Sequence, residues 1–140
     1  MKRRNQRGAV SIEAALLVPA LVLLAALATA GWRVWWASAQ VQAAAEAAAR
    51  VASQSVLVSD ARARVQTVVA SDLKTAGVHC KNTVLSHDLS AVTLPTGVAG
   101  TIRVSVTCTV GLGDLLVPGL PGAISVTGAA TEAIDVFRSR

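Results

Sequence analysis

Nineteen consecutive residues, Ala14 to Trp32 (AALLVPALVLLAALATAGW), carry no charge and a single hydroxyl, Thr29. As a helix this run would be roughly 28 Å long, the hydrocarbon thickness of a bilayer. Lys2, Arg3, Arg4 and Arg7 stand directly before it, Arg33 ends it, and Trp32, Trp35 and Trp36 fall where an interfacial aromatic belt belongs. Positive residues ahead of the run and only Arg33 just after it predict a single pass through the cytoplasmic membrane, with the N-terminus in the cytoplasm and the remainder outside. Pro19, well inside the run, predicts a modest kink.

The charge distribution supports the same placement. The net charge of +5 would suit a nucleic-acid ligand if it were spread over a folded surface, but the N-terminal cluster holds four of the thirteen basic groups. The rest of the chain carries nine basic groups against eight acidic ones. No basic face interleaved with stacking aromatics exists to track a phosphate backbone. An apolar fraction of 53% and a mean hydropathy of +0.54 exclude disorder, while aromatics at 3% leave a thin core of Val, Ala and Leu. Two cysteines with His79 and His87 do not provide a structural zinc site, and no cofactor motif is present.

Three readings of the N-terminus share these charges. A secretory signal would use Ala28-Thr29-Ala30 as its small-x-small site and release a soluble domain after Ala30. An unprocessed anchor would hold an external binding domain at the membrane. Both leave Glu13 without a purpose, although an ionised acid in hydrocarbon costs about 2.5 to 3.5 kcal/mol, less near the interface.

The stretch RGAVSIEAALLVPALVLLAALA resembles the N-terminus of type IV prepilins of the tight-adherence (Tad) kind, and the chain is most similar to TadE-like minor pseudopilins. In that family a prepilin peptidase cuts after a glycine that follows a basic leader, and a glutamate is the fifth mature residue. Here Gly8 is the matching glycine, Ala9 would become the first residue, and Glu13 is fifth. The resemblance covers residues 7 to about 52, continues through the Gln/Ala-rich SAQVQAAAEAAAR, and is looser in VTCTVGLGDLLVPGLPG. It implies a pilus-assembly role at the bacterial cell surface. The partners it implies are the peptidase, a major Flp-type pilin, other TadE-like subunits and an inner-membrane assembly platform.

The spacing has its own physical sense. Cleavage would leave a free ammonium on Ala9, and Glu13 lies one helical turn later. In an apolar bundle the acid of one subunit can neutralise the amine of its neighbour, turning two costly isolated charges into a pair.

Past the membrane the helix is expected to continue. Ala37, Val41, Ala44, Ala48, Val51 and Val58 form a small-residue seam interrupted by Ser55, while Gln40, Gln42, Arg50 and Gln54 take other faces. The seam serves equally a stalk packed on other pilin helices or a helix lying on its own domain. Glu46 and Arg50 stand in the favourable i, i+4 order. Ser59 or Asp60 offers an N-cap for a second helix, whose Ala61, Val65, Val68, Val69, Leu73 and Ala76 repeat up to a stop at Gly77.

From Val78 the period changes. Ile102, Val104, Val106, Cys108 and Val110 alternate with polar residues as in a half-buried strand. Val92 to Leu94, turned by Pro95-Thr96-Gly97, is the expected hairpin partner, and Ile124 to Val136 a third strand weakened by Gly128 and alanines. The fold class is therefore α+β, a pilin-like long helix, second helix and small antiparallel sheet. Its divisions are a leader (1–8), a transmembrane helix (9–32), a helical stalk (33–59) and a small extracytoplasmic domain (60–140). A Cys80–Cys108 disulfide is expected outside the cytoplasm, and closing the loop 80–108 contributes roughly 3 to 4 kcal/mol in the chain-entropy model.

Catalytic constellations are nearly absent, and no enzyme is expected. His79 and Cys80, as strand neighbours, would point to opposite faces. His87 and Asp88 read as a polar loop, and Glu132 and Asp135 as solvation of the last strand. Gly111-Leu112-Gly113 lacks the lysine of a phosphate loop. The LLVPGLPG segment, residues 115–122, suits either a partner-docking loop or a cover for the sheet's open end.

Overall fold

The computed structural model describes the backbone of residues 7–115 and 121–134, and the side chains of residues 15–113 and 121–134. It is α+β. A 47-residue helix α1 (Arg7–Ser53) leads into α2 (Val58–Thr75), then β1 (Cys80–Asp88), a 3-10 turn (Ser90–Thr93), β2 (Thr101–Gly111), a single helical turn α3 (Leu112–Leu115) and β3 (Ala123–Ala133). The strands form one antiparallel sheet in the order β1-β2-β3.

Helix α1 has two environments. Along residues 15–36 its large apolar side chains, apart from Val34, face outward, with Leu16 74% and Leu27 70% exposed. From Ala37 to Ala52 the seam closes over the sheet and α2, and Ala37, Val41, Ala44, Ala45, Ala48, Ala49 and Ala52 are buried. Of the two uses open to this seam, the chain thus makes the intramolecular one. Alanines suit it because they favour helix and let two backbones approach closely. At Gly128 on β3 an added Cβ would lie 2.6 Å from both Gln42 Cα and the Val41 carbonyl oxygen. The residue that weakens the strand by propensity is the one that admits the helix.

The seam ends sooner than its period suggests. After Ser53 the chain turns, and the buried Ser55 donates its hydroxyl to the Val51 carbonyl at 3.0 Å. Helix α2 then starts at Val58, with Leu57 in extended conformation at the N-cap and no side-chain cap, rather than behind Ser59 or Asp60. Asp60 instead sits in the first turn, where a carboxylate favours the helix dipole, and pairs with Arg64 at 3.1 Å. The stop at Gly77 is as expected. Gly77 has φ +70°, its N–H reaches the Lys74 carbonyl, and the Val78 N–H reaches that of Leu73, a Schellman closure.

Strand β2 alternates as its sequence indicates, with Ile102, Val104, Val106, Cys108 and Val110 buried on the face that α1 covers. Its other face is polar. Thr107 meets Thr127 at 3.0 Å and Thr109 meets Ser125 at 3.1 Å, each pair opposite in register. The hairpin partner of β2 on its other side is Cys80–Asp88, not Val92–Leu94. Val92 belongs to the 3-10 turn and plugs the core. His87 and Asp88, expected in a loop, end strand β1, where Asp88 accepts the Ser90 N–H at 3.1 Å. Residues 116–120 of the LLVPGLPG segment, and Asp135 with Val136, lie outside the described residues.

Candidate functional site

The residues singled out for assembly lie at the start of α1. The backbone is already helical at Gly8, Ala9 and Glu13, so positions 9 and 13 stand one turn apart, a rise of about 6 Å. The Glu13 side chain and leader residues 1–6 lie outside the described residues.

Between Ala15 and the tryptophans, α1 is long and apolar enough to be a candidate membrane span. An 18-residue window within Ala15–Ser53 has a mean hydropathy of 2.1, and none of that window is buried in the protein. Fully burying a Leu or Val side chain is favourable by about 1.5 to 3 kcal/mol. Leu16, Leu17, Val18, Leu21, Val22, Leu23, Leu24 and Leu27 are all left exposed, so leaving them in water would cost on the order of 10 kcal/mol. Lipid or apolar neighbouring helices would offset that cost. The hydroxyl in this segment is satisfied locally, since Thr29 Oγ1 donates to the carbonyls of Ala25 and Ala26 at 3.0 and 2.9 Å. Trp32 and Trp35 lean on one another with ring centroids 5.3 Å apart, and with Trp36 they mark the point where α1 passes from exposed to buried.

The helix is also locked to its domain by Gln42, a residue whose place in the sequence suggests a solvated face. The Gln42 carboxamide donates from Nε2 to the Ala129 carbonyl at 3.0 Å and accepts the Ala129 N–H on Oε1 at 3.0 Å. It treats β3 as another strand would, and so caps that sheet edge. Gln42 Nε2 also reaches Glu46 Oε1 at 2.9 Å, so Glu46 meets the amide one turn behind it rather than serving Arg50 ahead. The sequence signal is present but ambiguous, because a glutamine among alanines reads as solvated until a strand edge is known to lie opposite it.

Cys80 and Cys108 are joined, with Cα atoms 5.4 Å apart. Cys108 sits on the buried parity of β2, and Cys80 opens β1 just before the strand's register shift. The bridge takes Cys80 out of any pairing with His79, which lies in the connection between α2 and β1. At the far end of β1, hydrogen bonds from Ser90, aided by the Arg103 charge, hold the Asp88 carboxyl below its usual value of 3.8.

These parts define a class: a small α+β domain, bridged by a disulfide and carried on one long helix whose outer half is a candidate membrane anchor. Residues 8–50 match the family model described as TadE-like protein. The matched stretch begins at Gly8 and ends at Arg50, so it spans the candidate anchor together with the part of α1 that enters the domain core. No curated protein and no solved structure matches the chain.

Proposed function

We propose that the chain is a minor pilin-like subunit of the Tad pilus machinery, inserted with its N-terminus in the cytoplasm and its domain outside. The observation that carries this is the TadE-like match over residues 8–50, which opens at the glycine where the basic leader ends. A prepilin peptidase cuts between Gly8 and Ala9. The new Ala9 amine then meets Glu13 of a neighbouring protomer, an ion pair whose partners are each expensive to leave alone in hydrocarbon. Partners along the apolar helix are a major Flp-type pilin, other TadE-like subunits and the assembly platform. The domain carries no reaction. Its disulfide suits a compartment in which thiols oxidise.

Replacing Glu13 separates this reading from a plain anchor. Glu13→Gln should leave leader removal intact and abolish co-purification with pilus components in a pull-down from native membranes. Undiminished co-purification of the variant would overturn the pairing role.

A further inference from the structure

The two sulfurs of the Cys80–Cys108 bridge stand in unequal surroundings. Cys108 is fully buried on the face of β2 that α1 covers, between the buried Val106 and Val110. Cys80 is half-buried and opens β1, an edge strand whose side chains are largely exposed. A cavity of about 320 Å³ lies between α2 and the start of β1, lined by Ala70, Leu73 and Lys74 from the helix and by His79, Cys80 and Thr83 on the other side. Cys108 has no part in that lining.

Thiol–disulfide exchange depends on which sulfur an incoming thiolate can reach. Cys80 borders open space in the cavity, whereas Cys108 is enclosed by packed side chains. The cavity is about ten times the roughly 30 Å³ share of one water, which is room for a cysteine side chain from outside. Among its described lining residues none is acidic, so no carboxylate there repels an anionic sulfur.

We propose that the bridge is opened and closed on the folded domain by exchange with an external cysteine thiol that enters at Cys80, with Cys108 as the buried leaving and resolving sulfur. In the opening direction the external thiolate bonds to Cys80 Sγ and the Cys80–Cys108 bond breaks. Its electron pair leaves on Cys108 Sγ, which takes up a proton in place of the one the external thiol shed. A second external thiolate attacks the external sulfur of the mixed disulfide and releases Cys80 as a thiol. Two external thiols are thereby oxidised to a disulfide as the bridge is reduced, and closing runs the same steps backwards with an external disulfide as oxidant. Strand β1 stays in place meanwhile, since it is paired with β2 from Asn82 to Asp88. The bridge is thus set after the domain has packed, as a substrate of the thiol chemistry around it. None of this rests on processing at Gly8 or on a pilus partner.

The oxidised full chain in mild detergent, exposed to a range of glutathione concentrations, stopped with acid, alkylated in denaturant and mapped by peptide mass, tests it. The mixed disulfide should sit on Cys80 at least about ten-fold more often than on Cys108, and should form at a rate proportional to glutathione. An adduct on Cys108 or shared equally, a rate independent of glutathione and equal to that of global unfolding, or a bridge that stays closed until denaturant is added would each overturn the proposal. This measurement needs no variant. As a second one, reduced Cys108→Ser should take up glutathione from its disulfide at least about ten-fold faster than reduced Cys80→Ser, with the gap closing in denaturant. Equal rates without denaturant would contradict the assignment. A thioredoxin-type dithiol protein run beside glutathione separates the two sources of the thiol, since the faster of them at Cys80 is the reagent the cavity suits.

Discussion

Gly128 sets the distance between helix and sheet, because the backbone of α1 at Val41 and Gln42 occupies the space a Cβ would take. Gly128→Val should therefore lower the stability of the domain by about 2 to 4 kcal/mol through forced separation of the two layers. Thermal unfolding in detergent, followed by circular dichroism, measures it. The adjacent Gln42 carboxamide offers a subtler test. Gln42→Ala removes two hydrogen bonds to Ala129 and should cost about 1 kcal/mol. Gln42→Glu should cost more, since it turns a donor toward a carbonyl into an acceptor and sets a second carboxylate beside Glu46. Asp88 makes stability depend on acid. Its folded pKa lies below its ordinary 3.8, so its contribution is complete above that value and fades as pH falls through the lower, folded one. An unfolding series from neutral to acid pH should show a decline at the acid end that is shallower in Asp88→Asn.

At the scale of elements, the bridge between β1 and β2 holds the strand that α1 covers least. Reduction of Cys80–Cys108 should lower domain stability by roughly 3 to 4 kcal/mol, read as a fall in Tm with reductant. Alkylation without reductant should leave the mass unchanged. The elements differ in how plainly the sequence spells them. The periods of α1, α2 and β2 are readable because each buries one regular face. Strand β1 is not, since CKNTVLSHD is an edge strand whose side chains are largely exposed and so shows no alternation. Val92, hydrophobic and near a Pro-Thr-Gly turn, draws the strand assignment away although it serves as a core plug. The missing N-cap of α2 has a similar origin, because packing of Ala61, Val65, Val69 and Leu73 outweighs a capping hydrogen bond of about 1 kcal/mol. The candidate assembly residues Gly8, Ala9 and Glu13 are legible through their resemblance to a prepilin N-terminus. Gln42, whose partner is 87 positions away, is not.

At the scale of the molecule, one helix does two jobs in sequence. Its outer half is exposed and is a candidate membrane anchor, its inner half is covered by its own domain, and three tryptophans divide them. One continuous helix joins the two, with Pro19 inside its exposed half. This continuity would give the proposed cut at Gly8 its consequence, since a free amine would then stand at the tip of that helix. Intact mass and N-terminal sequencing of the mature protein from its native cells test this most directly. The account predicts a chain beginning at Ala9, and a chain that still carries Met1 to Gly8, or one that starts at Gly31, would contradict it.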